Sequence, residues 1–181
     1  KREELIEKSF QYAEFYDRPI REYEYVDLTF ELVVSAACFG QLKRHRMATL
    51  TTQPYDPFLG VTIPPAITKV GLTKEFSKIV ISTNQTYQKL SARVPQAAAY
   101  VLSNAHRRRV LFKCSARELY HISRLREDPH AQWDIRNISR QMTAQAKKAL
   151  PLTMSFVGGK DAYPAIYERH FGRPPKMLPQ Y

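Results

Sequence analysis

The chain has 181 residues, 44% of them hydrophobic, with 11 Tyr and 9 Phe, enough for one packed core and too apolar for a disordered tail. Twenty-eight Lys and Arg against 17 Asp and Glu leave a charge of +11 and a pI near 9.7, which calls for an anionic partner: nucleic acid, a phosphorylated cofactor or an anionic surface. Cys38 and Cys114 alone build neither a disulfide framework nor a zinc centre, and no apolar run or leader marks a membrane protein, so two reduced, buried thiols in a cytoplasmic protein are expected.

Taken in order, residues 1–22 are charged and tyrosine-rich and predict a short helix, then an irregular approach broken at Pro19. Val26, Leu28, Phe30, Leu32 and Val34 alternate, which predicts a strand with one buried face. The segment 37–46 continues as a helix ending in the basic cluster. Pro54, Pro57, Pro64 and Pro65 make 53–66 a loop. Phe76, Ile79, Val80, Thr83, Tyr87 and Leu90 keep helical spacing over Thr73–Leu90. A further helix opens at Pro95, and 107–114 is a short strand.

Ser115 is the expected N-cap of the next helix, with Leu119, Ile122 and Leu125 on its apolar face. Asp128 is the expected cap of the one after it, with Pro129 at its first position. Ile135, Ile138, Met142, Ala146 and Ala149 form its apolar stripe, and Pro151 stops it. Residues 158–181 are Pro- and Gly-rich and read as a peripheral tail beyond a domain spanning 1–157. The chain opens on Lys1 rather than Met, which suggests excision from a longer protein.

Three neighbourhoods concentrate donors. Arg44, His45 and Arg46, flanked by Gln41 and Thr49, can serve two acceptors or form a solvated basic edge. On a helical wheel Arg117, His121 and Arg124 share a polar face, whereas Arg126 projects between Leu119 and Ile122. An inward guanidinium needs an acceptor, and a bound anion would serve; charge compensation at the helix C-terminus is the alternative. His130 sits near a helix N-terminus, a place that suits anionic oxygen and equally a surface histidine. No nucleophile elbow, phosphate-cradling glycine loop or metal-ligand spacing occurs.

"QLKRHRMAT" resembles the R-H-R-x-x-S-x-x-x-x-S-x-R signature of the flavin-dependent thymidylate synthases (ThyX). "SARELYHISRLREDPHAQWDIR" is similar to that family's second hallmark, and "LTFELVVSAACFGQ" to the strand and helix leading into the first. The resemblance runs over roughly residues 20–157. It implies a mixed α+β fold, with a mixed or antiparallel sheet packed against long helices, in a homotetramer with FAD at subunit interfaces. It also implies transfer of a methylene from methylenetetrahydrofolate to dUMP, with NADPH as reductant and no protein nucleophile. By the same resemblance Arg44, His45, Arg46, Ser115, Arg117, His121 and His130 contact FAD. Gln41, Thr49 and Arg126 hold dUMP, with Arg126 orienting the pyrimidine.

The departures from the pattern cluster. The second motif Ser is Pro54, the closing Arg is Asp56, and the Glu or Gln before that Ser is Thr52. Tyr100 stands for an Arg, Ser103 for a Pro, Tyr25 for a flavin-contacting His, and His121 and Ser115 for Asn. Proline removes a hydroxyl and an N–H, and Asp56 repels a phosphate. These changes predict weakened or lost dUMP methylation. The alternatives are a non-catalytic half that completes an oligomer or a tandem protein and, given Arg107-Arg108-Arg109, a basic nucleic-acid module.

Overall fold

The computed structural model describes residues 1–179. It is an α+β protein, as the sequence predicts. Eight helices, α1 (Arg2–Phe10), α2 (Ala36–Leu42), α3 (Pro65–Lys69), α4 (Thr73–Ser91), α5 (Pro95–Ala98), α6 (Ala116–Arg126), α7 (Trp133–Ala149) and α8 (Tyr163–Phe171), accompany three strands among the described residues. The strands β1 (Asp27–Ser35), β2 (Thr49–Thr52) and β3 (Arg107–Ser115) pair in the order β1–β3–β2. Internal packing divides the chain into a first unit of residues 1–30, 42–50 and 112–181, and a second of 31–41 and 51–111. Among the described residues no helix is long and apolar enough to cross a membrane.

The first unit owes its core to α6 and α7. Leu119, Ile122, Ile135, Met142 and Ala146 are essentially inaccessible to water, and burying each large apolar side chain contributes about 1.5–3 kcal/mol. An aromatic group continues that core: the Phe10 ring stacks on Phe156 at 4.3 Å and lies 5.5 Å from Tyr120. The segment after 158, read from composition as peripheral, holds α8. Its Tyr163 and Tyr167 are buried, and their hydroxyls donate to the carbonyls of Ala13 and Gln11. Alternating tyrosines and a histidine at helical spacing carried that information, hidden by the surrounding prolines.

The second unit packs α4 against α5. Val34, Cys38, Ala98 and Val110 are buried, but α4 buries none of its 19 residues fully. Gly60, at φ 77°, closes the turn after Pro57–Leu59, a left-handed conformation that favours glycine. Both cysteines are buried and form no disulfide.

Several expectations change. The helix expected over 37–46 ends at Leu42, because the His45 N–H bonds back to the Leu42 carbonyl at 3.0 Å in a turn. That turn buries His45 while Arg44 and Arg46 stay exposed. β2 forms just before the loop of 53–66, where no element was assigned, and α3 opens at the end of that loop. Asp128 does not cap α7. Its carboxylate accepts from the N–H and ring of His130 (2.7 and 3.0 Å) and pairs with Lys160 at 2.6 Å. Gln132 caps instead, accepting from the N–H groups of Asp134 and Ile135, both at 3.0 Å. Ala149 falls on the exposed side of the last turn. On α6, Leu125 is half exposed, and Arg124, expected on the polar face, is buried, its guanidinium 3.9 Å over the Tyr163 ring.

Candidate functional site

Ser115 caps α6 as predicted, its hydroxyl accepting the Glu118 N–H at 3.2 Å, and so sets which residues of the first turns face inward. Glu118 is one of them. Its Oε1 lies 3.4 Å from Nδ1 of His45, and both side chains are buried. Two turns further along the helix Arg126 directs its Nε–H to Nε2 of the same imidazole at 3.0 Å. The histidine at the centre of the first motif and Arg126, the last residue of α6, therefore touch within one unit.

The other predicted residues separate into groups. Arg117 donates to the Pro19 carbonyl (2.7 Å) and to Glu24 (3.0 Å), so it is held in place before any ligand arrives. His121 lies 3.5 Å from an Arg18 nitrogen, and its ring is edge-on to His45 with centroids 6.2 Å apart. Burial, and then the Arg18 charge, push the His121 pKa below its usual value and keep the ring neutral. Arg124 serves the fold rather than a shared polar face. Burial lowers its pKa to about 10, and its nearest acceptors are the carbonyls of Gly158 and Gly159.

A cavity of about 330 Å³ opens between Arg18, Met47, Thr49, Ser115, Arg117 and Glu118. A second, of about 480 Å³, has Arg126, His130 and Lys160 on its wall beside Asp128. Thr49, Ser115 and Arg117 thus share one recess, and Arg126 and His130 share another. Arg44 and Arg46 are exposed and make no hydrogen bond among the described residues, leaving two guanidiniums for an outside anion. Gln41 lies half-buried in α2, among the residues of the second unit. Neither Glu118 nor Arg18 was singled out from sequence. Ser115-x-x-Glu118 reads as a capping box, which hides that the carboxylate faces a histidine far along the chain.

The departing positions have local duties. Thr52 Oγ1 and the Gln53 carbonyl accept from Arg108, each at 3.0 Å, and the Arg108 guanidinium lies 4.4 Å from the centroids of both Phe39 and Tyr55. Asp56 accepts the Phe58 N–H at 2.8 Å and caps the 3₁₀ turn Pro57–Leu59. The Ser103 N–H and hydroxyl both reach Nδ1 of buried His106, at 3.0 and 2.9 Å, a contact that a proline N could not make. Tyr25 and Tyr100, in contrast, are exposed.

Residues 3–152 match the family model described as thymidylate synthase complementing protein. Over 132 residues, 69% of this chain and 51% of the relative, it is 33% identical to a flavin-dependent thymidylate synthase of Sulfolobus acidocaldarius. The flavin-dependent thymidylate synthase of Clostridium tetani is 29% identical over 160 residues, 75% of this chain and 64% of the relative. A UPF0159 protein of Thermoplasma acidophilum is 28% identical over 133 residues, 72% of this chain but 27% of the relative. The match thus spans less than two thirds of the length of each.

Proposed function

Because the chain belongs to the thymidylate synthase complementing protein family, we propose that it is a flavin-dependent thymidylate synthase-like domain that keeps much of a flavin cradle and has lost much of its grip on the nucleotide phosphate. The observation that carries this reading is the 3.0 Å contact between Arg126 and His45, which gathers residues of both motifs at one place.

The donor set fits FAD. The exposed Arg44 and Arg46 flank buried His45 and suit the diphosphate, and Arg117, with Ser115, faces a recess that already holds it by its other contacts. His121 and His130 complete the flavin-binding set. When bound, FAD supplies the redox chemistry of the methylation, with NADPH as reductant and methylenetetrahydrofolate as carbon donor. The chain's own part is binding and orientation. Arg126 holds the pyrimidine of dUMP with a charge whose direction is set by His45, and Thr49 binds the same nucleotide.

The loop after β2 lowers that affinity. Pro54 has neither hydroxyl nor N–H, and Asp56 places a carboxylate where the motif needs a guanidinium. At about 1.5–3 kcal/mol per charged hydrogen bond, two lost partners weaken dUMP binding by roughly a thousand-fold. The test is a titration of the purified protein. We expect flavin absorbance near ~450 nm that responds to dUMP only at millimolar concentration. A micromolar response would show that the phosphate grip is intact, and a protein that takes up no FAD would end the flavin reading.

A second reading, a non-catalytic half completed by a partner, is favoured by the surface of the second unit. Val70, Leu72, Ile79 and Ile81 are exposed along or beside α4. A homo-oligomer, with a tetramer the expectation, or a tandem domain would cover them. Under this reading a partner supplies the missing phosphate contacts. Cys38 and Cys114, buried and outside any disulfide, suit a reducing cytoplasmic setting.

A further inference from the structure

An arginine Nε carries its hydrogen at every accessible pH, so the atom 3.0 Å from it, His45 Nε2, must offer a lone pair. A neutral imidazole with its lone pair on Nε2 has its proton on Nδ1. Which nitrogen bears that proton is set by what faces the other side of the ring. Here it is the Glu118 carboxylate, 3.4 Å from Nδ1, with Glu118 and His45 only 7% and 4% exposed. In such a setting a negative charge acts on its neighbour far more strongly than it would in water.

We propose that Glu118 is a positioning residue: its carboxylate holds the His45 proton on Nδ1, so that Nε2 remains the acceptor that aims the Arg126 guanidinium. Moving the proton to Nε2 would set two N–H groups against each other at 3.0 Å and turn Arg126 away. Protonating both nitrogens would do the same. The remaining groups around the ring agree with this assignment. His121 is held neutral and adds no competing charge at Glu118, and Arg18 is engaged with His121. The aim of Arg126 at a uracil nucleotide rests on the function proposed above, whereas the tautomer does not.

The same three side chains resemble a metal site, since ligand atoms of His45, Glu118 and His121 lie within 4.8 Å of one another. A cation bound there would need the Nδ1 lone pair. That would drive the proton to Nε2 against Arg126 and place a divalent charge beside Arg18 and Arg126. Proton positioning satisfies every group present, and metal binding opposes two of them.

The experiment is long-range 1H–15N NMR of the full 181-residue chain labelled at histidine. The wild type is expected to show His45 protonated at Nδ1 with an unprotonated Nε2. Glu118→Gln, which keeps an acceptor oxygen, should retain that pattern, whereas Glu118→Met, of similar length with no such acceptor, should shift the proton to Nε2. A wild-type His45 protonated at Nε2 overturns the proposal whether or not either variant folds, as does a Glu118→Met protein with an unchanged tautomer. Stoichiometric zinc that displaces both His45 and His121 resonances would also overturn it, in favour of a metal site.

A dUMP titration forms the second arm. Glu118→Met should weaken binding about tenfold, as losing one aligned hydrogen bond does. The double variant with Arg126→Ala should bind no worse than Arg126→Ala alone, and a further loss would overturn the proposal. Failure of the wild type to respond to dUMP at all counts against the proposed function, and the tautomer measurement then decides the role of Glu118.

Discussion

His106 is fully buried, with Nδ1 receiving the Ser103 N–H and Nε2 placed 3.0 Å from Asn84 Oδ1. Burial pushes its pKa below the ordinary value of 6.5. The folded state therefore binds fewer protons than the unfolded chain once the pH falls through 6.5. Stability is full above that pH and is lost on further acidification, down to the lower folded value. His106→Gln should flatten this part of a plot of urea midpoint against pH. A slope unchanged by the substitution would show that the titration lies elsewhere. Cys114 has the opposite sense: burial raises its thiol to about 12, so the unfolded chain ionises first and stability falls as pH rises from about 9. Asp56 is tied to the Phe58 N–H, so Asp56→Ala should cost about 0.5–2 kcal/mol in chemical denaturation, as the loss of a cap does. Restoring the motif with Pro54→Ser and Asp56→Arg trades that cap for a phosphate contact. Tighter dUMP binding in a less stable protein is the expected result. Residue chemistry of this kind was legible only where the partner was near in sequence: the Ser115 cap was, whereas the Glu118–His45 pair was not.

Elements with strong periodicity appear where the sequence puts them. α4 runs Thr73–Ser91 against a reading of Thr73–Leu90, and α6 begins directly after its serine cap. α7 begins at Trp133, later than Asp128 and Pro129 imply, because Asp128 uses its carboxylate on His130 and Lys160. Asp128 was the cap that the sequence offered, and one of the groups that engage its carboxylate instead, Lys160, is distant in the chain. β2 was missed for a similar reason. Four residues are too few to show alternation, and pairing with β3 defines the strand. Just beyond it, Arg108 stacks on Phe39 and Tyr55 and bonds to Thr52 and Gln53. Lysine lacks a planar group able to do both. Arg108→Lys should therefore speed amide exchange over residues 52–56 while leaving α6 and α7 protected. α8 makes the same point for packing. Phe156, stacked on Phe10 and on His170 at 4.1 Å, anchors the region before it, and Phe156→Ala should cost about 3–5 kcal/mol.

At the scale of the molecule, the two units differ in how completely each satisfies itself. The first closes a core of helices and rings, while α4 in the second leaves Ile79 and Ile81 exposed. Ile79→Glu and Ile81→Glu together should leave a monomer with unchanged helical content and abolish any larger species in sedimentation. An assembly that survives both charges would remove α4 from the proposed interface. The chain alone determined the α+β class, the family and the main helices, because local periodicity and contiguous motifs are properties of neighbours along the backbone. It also marked Arg126 as a guanidinium in need of an acceptor. Only the tertiary structure decided that His45 is shared between Glu118 and Arg126, that Arg124 belongs to the core, and that the proline-rich end carries a buried helix. Each of those outcomes depends on which distant group reaches a buried polar atom or ring first, and desolvation makes that choice costly to reverse.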